Sequence, residues 1–260
     1  MKIFISIVSH GHGDLIKRIN CLAELNKLDK VTVIIKNNIK DLILIDYVKK
    51  AGIKIIDKQY GLGFGENNNV NFLYCKNHLG MEDDDIFIVM NPDVCLTESE
   101  LLKLLTSLED KKILIATINL IKDVGQYDPS IRNFPSLATF FSSFVLKKNK
   151  TIIDKTNINK RCFVEWAAGS FIIFRASYYF YLEGFNERYF MYCEDIDICY
   201  RSACVGNKVL FIPDIYAIHL AKHANRKLFS KHFYWHFINA CRFIISKHIP
   251  IPFRSRLCLK

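Results

Sequence analysis

The sequence predicts an α/β protein: a mostly parallel sheet with helices on both faces. Three observations carry that reading. Short β-branched or apolar runs alternate with amphipathic segments through the first half, and this alternation builds parallel sheets. A glycine-rich turn, Gly61-Leu-Gly-Phe-Gly65, leads from one such run into a helical pattern. The chain has 260 residues, 50% hydrophobic and 24% charged. That is enough for one sizeable core and excludes a disordered or low-complexity protein.

The elements follow in order. Lys2 to Ser9 reads as a strand and Asp14 to Leu25 as a helix. Val31 to Lys36 is a β-branched strand, Lys40 to Ala51 a helix stopped at Gly52, and Ile53 to Ile56 a short strand,. After the glycine turn comes a helix from about Glu66 to His78, then a strand from Asp85 to Met90. Thr97-Glu-Ser-Glu100 is a capping box opening a helix to about Leu108,. Ile113 to Ile118 is a further strand. The second half is less regular: a helix over Pro135 to Lys147, and strands at Cys162 to Trp166 and Ser170 to Phe174. A helix from Glu194 to Val205 and a strand from Lys208 to Ile212 follow. Lys227 to Lys247 is an amphipathic helix. Its pattern puts Phe229, Phe233, Phe237, Cys241 and Ile244 on one stripe, with Lys227, Lys231, Asn239 and Arg242 roughly opposite,.

Composition narrows the class. No stretch reaches 18 uncharged apolar residues, so no spanning helix is expected. The apolar run Ile3 to Val8 meets His10-Gly11-His12-Gly13 without a small-residue cleavage site, as in a first strand rather than a signal peptide. The nine cysteines form no Cys-x-x-Cys pair, so reduced thiols in a cytosolic protein are expected, with neither zinc ribbon nor disulfide framework. Net charge is +10, yet Ile215 to Lys260 holds nine Lys/Arg and no acid. A near-neutral body over residues 1–225 thus precedes a basic tail over 226–260, which suits anionic lipid, lipid-linked phosphate or nucleic acid. Phe, Trp and Ile at helical spacing in the tail favour an interfacial helix over a nucleic-acid arm.

Ligands of open α/β sheets bind beyond the strand carboxyl ends. The residues that follow the strands are Ser9-His10-Gly11-His12, Asn37-Asn38, Gly61 to Gly65 with Glu66 and Asn67 to Asn69, and Asn91-Pro92-Asp93. They supply amides, hydroxyls and one carboxylate, a kit for a phosphorylated ligand with a metal. The glycine turn lacks the Lys-Ser/Thr of a P-loop and the third glycine of the dinucleotide fingerprint. His10 and His12 have ligand spacing, but a glycine-rich loop argues against them. Glu194-Asp195 follows the aromatic run Tyr189 to Tyr192. A carboxylate beside apolar rings has a raised pKa and serves as a proton acceptor. Asp197 with Arg201 reads as an i,i+4 pair.

These motifs, from Ser9-His-Gly through Gly-Phe-Gly-x-Asn-Asn-Asn, Asn-Pro-Asp and Trp-x-Ala-Gly-Ser to Gly184-Phe-Asn-Glu-x-Tyr-Phe-Met-Tyr-x-Glu-Asp-x-Asp197, resemble family 2 glycosyltransferases of the GT-A fold. They are most similar to bacterial O-antigen rhamnosyltransferases that act on N-acetylglucosamine-diphospho-undecaprenol. The resemblance runs from Ser9 to about Trp235. It implies an inverting transfer of rhamnose from dTDP-L-rhamnose, in lipopolysaccharide biosynthesis at the cytoplasmic face of the bacterial inner membrane. It implies a donor site at Ser9, Asn37, Gly63, Gly65, Asn67, Asn68, Asn91 and Asp93, with Asn37 where relatives often carry Asp. Asn91-Pro92-Asp93 stands at the family's Asp-x-Asp without the first acid, so Asp93, with His219, would hold Mg2+ or Mn2+. Trp166, Gly169 and Ser170 would border the acceptor, and Asp195, with Glu194 beside it, would be the base. The alternatives are a UDP-sugar donor, or a non-catalytic polyanion-binding protein.

Overall fold

Continuous apolar runs form the centre of the sheet. The computed structural model describes residues 1–122, 125–136, 139, 150–220, 231–249 and 251–258. In it β1 (Ile3–Ser9) and β4 (Ile86–Met90) are buried at every position, as strands covered on both faces must be. With β2 (Val31–Asn37) and β3 (Lys54–Ile56) they make a parallel block in the order β3-β2-β1-β4. The second half of the sheet is mixed. β10 (Phe171–Arg175) starts opposite Met90 and runs back antiparallel to β4 and to β6 (Ile115–Ile121), because the chain enters it from the carboxyl edge of β4. β11 (Val209–His219) lies parallel to β6. β5 (Val94–Cys95) and β8 (Cys162–Val164) pair antiparallel with β11, and β7 (Ile131–Arg132) with β9 (Trp166–Ala167) forms a separate ribbon.

Helices cover both faces. The expected first helix is two, α1 (Gly13–Ile19) and α2 (Cys21–Asn26), broken where Asn20 takes a left-handed φ of 57°. α3 (Leu42–Ala51) is capped by the Asp41 side chain and ends at Gly52, φ 64°. α4 (Phe64–His78) follows the glycine turn. At α5 (Glu98–Ser107), Thr97 accepts from Glu100 N–H, but the capping box stays half formed. Glu100 instead pairs with Lys103 and accepts from Tyr216 N–H at 2.8 Å. α6 (Ala176–Tyr181) and α7 (Glu194–Cys204) complete the body. One core, around Phe72, Phe87, Phe174 and Tyr179, lies on one face of the sheet; Ile5, Ile35, Leu44 and Leu101 belong to the other.

The C-terminal helix α8 (Lys231–Ser246) splits its expected apolar stripe between the body and the surface. Ala240, Phe243 and Ile244 are buried, and so is Asn239, which donates to Met191 O at 2.9 Å. Arg242 donates to Arg188 O at 2.6 Å. These polar partners turn Asn239 and Arg242 toward the body, and the expected stripe is divided: Phe237 is 42% exposed while Ile244 is buried. Residues 251–258 return to the body, where Arg256 donates to Glu187 at 2.9 Å and pairs with Glu66. The expected helix over Pro135 to Lys147 falls largely outside the described residues. So do Arg226 to Ser230 of the tail, including Lys227 and Phe229, together with Pro250, Leu259 and Lys260. Among the described residues, no helix is long and apolar enough to cross a membrane.

Candidate active site

The parallel block aligns the predicted donor residues. Ser9 pairs with Asn37 and Ile7 with Met90 in register, so Ser9, Asn37 and Asn91 to Asp93 share the carboxyl edge. Ser9 is buried, and its hydroxyl accepts from His12 N–H at 3.3 Å. Asn37 is buried; its amide donates to Asp57 at 2.9 Å, while its Oδ1 has no partner among the described residues. Asp57 also accepts from Tyr60 OH at 2.8 Å. It places beside Asn37 the carboxylate that position 37 lacks. Lys36 lies beneath, donating to Asn37 O at 2.8 Å and Gln59 O at 3.2 Å, with burial lowering its pKa to about 8.

The glycine turn is held from behind. Asn38 exchanges two 2.9 Å hydrogen bonds with Leu62, and Asn67 donates to Leu62 O and Gly63 O. Asn68 accepts from Ser6 OH at 2.7 Å and donates to Phe64 O at 3.0 Å. Asn67 and Asn68 are fully buried. Expected at the donor surface, they are instead buried and shape the loop: its backbone carbonyls take the NH2 groups of both, and Ser6 donates to Asn68, while Asn67 Oδ1 has no partner among the described residues. Gly63 is required by close approach: a Cβ there would lie 2.5 Å from Phe190 O.

Asp93 meets the end of β11. Its Oδ1 lies 3.4 Å from His219 Nε2, and His219 Nδ1 hydrogen bonds Asp128. Burial opposes charge on His219, but Asp128 and Asp93 outweigh it and raise its pKa to about 9. A carboxylate beside an imidazole nitrogen, with the other ring nitrogen held by a second carboxylate, is donor chemistry suited to a divalent cation. Among the described residues no group of three or more His, Cys, Asp or Glu is disposed to hold an ion alone. Substrate phosphate oxygens are the usual completion of such a site. Asp128 has no sequence signal: it sits in irregular chain, 91 residues from its partner.

The acid pair opens α7. Cys193 and Tyr192, just before it, both have φ of 70°. Such left-handed non-glycine positions cost about 1–3 kcal/mol each and cluster at functional sites. Asp195 Oδ2 accepts from Gly169 N–H and Oδ1 from Ile196 N–H, both at 2.9 Å. Burial raises its pKa, offset in part by those N–H groups and by Arg132. Glu194 is raised well above the ordinary value by burial and by Asp195, and its Oε2 has no partner among the described residues. Two neighbouring carboxyls held unequally are a pattern for acid–base roles: Asp195 is braced by two backbone N–H groups, whereas Glu194 is the more buried and keeps an unpartnered oxygen among the described residues. Asp197 pairs with Arg201 at 2.8 Å, as expected.

A cavity of about 250 Å³ lies against this pair, lined also by Trp166, Arg132, Tyr192, His232 and His236. Trp166 donates to Asn133 O at 3.0 Å. Ser170 O accepts from Asn91 N–H at 3.0 Å, and its hydroxyl has no partner among the described residues. Arg132, His232 and His236 were not singled out by sequence reasoning. No motif surrounds Arg132, and the two histidines read only as part of a basic tail.

No protein-family model matches the chain. It is 39% identical over 251 residues to rhamnosyltransferase WbbL of Escherichia coli K12, covering 95% of this chain and 94% of that one. It is 29% identical over 174 residues to the N-acetylglucosaminyl-diphospho-decaprenol L-rhamnosyltransferase of Mycobacterium tuberculosis, covering 64% of this chain and 56% of the relative. Among solved structures it resembles GalNAc-T7 with UDP, GalNAc and Mn2+, at TM-score 0.62 and 12% identity over 95% of this chain and 48% of that one. It also resembles the Pyrobaculum calidifontis mannosyltransferase PcManGT with GDP-Man and Mn2+, at 0.61 and 12% over 96% and 66%. Staphylococcus aureus TarS 1–349 with UDP-GlcNAc aligns at 0.59 and 13% over 97% and 68%.

Proposed function

The chain belongs to the rhamnosyltransferase family of glycosyltransferases, with the GT-A fold, and on that premise we propose that it moves L-rhamnose, with inversion, from dTDP-L-rhamnose to N-acetylglucosamine-diphospho-undecaprenol in O-antigen assembly. The observation that carries the mechanism is the Glu194/Asp195 pair at the wall of the cavity, with Asp195 braced by two backbone N–H groups.

Asp195 takes the proton from the attacking hydroxyl of the acceptor sugar. Glu194 keeps its own proton, so the site carries one negative charge rather than two. One base and one displacement invert the anomeric centre. Asn37 Oδ1, with Asp57 beside it, accepts from the imide N–H of the thymine base. Asp93 and His219 would hold Mg2+ or Mn2+, which when bound offsets negative charge on the departing diphosphate. Asp128 keeps the His219 ring turned, with Nε2 toward Asp93. Trp166 and the Gly169-Ser170 turn border the acceptor sugar.

The enzyme works at the cytoplasmic face of the inner membrane. Tyr234, Phe237, Ile245 and Ile249 are exposed and fall at helical spacing on the outer side of α8 and its extension. That stripe, in a segment rich in Lys and Arg, suits an anionic lipid surface. The test is purified protein with dTDP-rhamnose and a panel of UDP-sugars, a short-chain GlcNAc-diphospho-lipid, and Mg2+ or Mn2+, read by product mass. Transfer from a UDP-sugar with none from dTDP-rhamnose would overturn the donor assignment.

A further inference from the structure

We propose that Arg132, His232 and His236 form the cradle for the acceptor's diphosphate; this rests on the reading above that the acceptor is a lipid-linked sugar diphosphate. The argument begins with charge. The cavity's catalytic wall is acidic, and a diphosphate bearing at least two negative charges is repelled by it unless cations or N–H donors also line the cavity. Among the lining residues, Arg132, His232 and His236 supply such groups. Arg132 lines the same cavity as Asp195, and its positive charge favours the Asp195 anion. Its guanidinium lies 5.3 Å over the Trp166 ring, and its Nε donates to Pro129 O at 2.9 Å. It is therefore held in place, as a planar fork for phosphate oxygens must be. Tyr192 OH lies 3.1 Å from His232 Nδ1, and its ring meets His236 edge-on at 5.5 Å. One residue of the strained turn before the acid pair thus orients both imidazoles, which sit one turn apart on α8.

Order along the path supports the same ligand. The sugar hydroxyl must reach Asp195. The lipid must leave toward an apolar surface, and the exposed Tyr234 and Phe237 belong to the same helix as the two histidines. The diphosphate joins sugar to lipid, and Arg132 and the histidines line the cavity that this linkage must cross. A neutral glycoside would need none of them.

The experiment compares two synthetic acceptors, GlcNAc-diphosphate on a short alkyl chain and the neutral alkyl GlcNAc glycoside, in wild type, Arg132→Gln, Arg132→Lys and the double variant His232→Gln/His236→Gln. The readout is the ratio of kcat/KM for the diphosphate over the neutral acceptor. A charge-assisted hydrogen bond lost from a phosphate predicts that Arg132→Gln lowers this ratio about tenfold or more. Arg132→Lys should recover part of it, and the double histidine variant should lower it in the same direction. The histidine rings are on exposed residues, so that variant keeps the test available if Arg132→Gln fails to fold. Calorimetric binding of the diphosphate acceptor without donor should weaken in parallel. Unchanged ratios in both variants, or equal losses on both acceptors, overturn the cradle. A wild type that glycosylates neither acceptor overturns the underlying acceptor reading instead.

Discussion

Asp195→Asn separates the base from the scaffold. The two carboxylate oxygens each accept one backbone N–H, from Gly169 and Ile196, at 2.9 Å. An amide has one acceptor oxygen. Whichever way it turns, its NH2 faces one of those donors and leaves it unpaired, at about 1–3 kcal/mol. That is a fraction of the about 5–15 kcal/mol that holds a typical domain, so the variant should fold. The chemical loss is larger. Removing a general base costs about 10²- to 10⁴-fold, or roughly 3–5 kcal/mol of barrier. The assay is kcat at saturating donor and acceptor, alongside calorimetric titration of the nucleoside diphosphate and a thermal melt. The expected result is that turnover collapses while nucleotide affinity stays within a few-fold. In wild type, activity should be lost as pH falls through an apparent pKa above the ordinary aspartate range, since burial raises Asp195. A variant retaining more than a tenth of wild-type kcat, with the acid limb intact, refutes the assignment and moves the base elsewhere.

Three other outcomes follow from the geometry. Asp128→Asn should weaken Mn2+ binding about 10- to 100-fold, read by electron paramagnetic resonance with the nucleoside diphosphate present; Asp93→Ala should remove the metal dependence of nucleotide binding, and an unchanged metal effect in both refutes the Asp93–His219–Asp128 arrangement. Gly63→Ala, although its φ of −67° suits alanine, drives a Cβ to 2.5 Å from Phe190 O; it should cost about 1–3 kcal/mol in thermal stability and lower donor affinity, and a normal melt with normal affinity would count against the shared wall. Phe237→Ser/Ile245→Ser should reduce co-sedimentation with anionic vesicles but leave the melt near wild type, whereas equal binding by both proteins defeats the membrane-facing stripe.

The sequence was most legible where local pattern and tertiary role agree. β1, β2 and β4 were readable because strands covered on both faces are continuous apolar runs, and Gly52 marked the end of α3 because a left-handed cap needs it. The apolar pattern ends β11 at Ile212, whereas the strand runs to His219 through a register shift between Ile212 and Tyr216. Pro213 and Asp214 mask that continuation, because they interrupt the apolar pattern at the irregularity. Asn67 and Asn68 show the opposite failure. Polar residues after a glycine turn suggest a ligand surface, yet here the loop's own carbonyls and Ser6 claim their amides. Asp128 and Arg132 carry no local signal, since partners far along the chain decide what they do. In α8 the apolar stripe divides, with Ile244 on the body and Phe237 exposed, because Asn239 and Arg242 find carbonyl partners on the body, which a hydrophobic periodicity cannot anticipate.

The glycines pack the proposed donor loop against the proposed base. Phe64 N–H donates to Phe190 O at 2.9 Å, so the first turn of α4 is bonded to the segment that leads into Glu194. A Cβ on Gly65 would lie 2.7 Å from Phe185 Cβ and 3.5 Å from Glu194 Cβ, and one on Gly169 would lie 3.1 Å from the Phe64 ring and 3.6 Å from Asp195 Cβ. Gly169 also supplies an N–H to Asp195. Three chain segments therefore meet at van der Waals distance around Phe64, and only glycine lets them close. The left-handed turn at Tyr192 and Cys193 has the same consequence: it aims the acid pair at the cavity while Tyr192 reaches α8. The proposed donor loop, base and acceptor wall form one packed unit. A substitution at any of these glycines should thus change donor affinity and the acid limb of the pH profile in the same variant. A glycine variant that shifted one without the other would show that the two sites are mechanically separate.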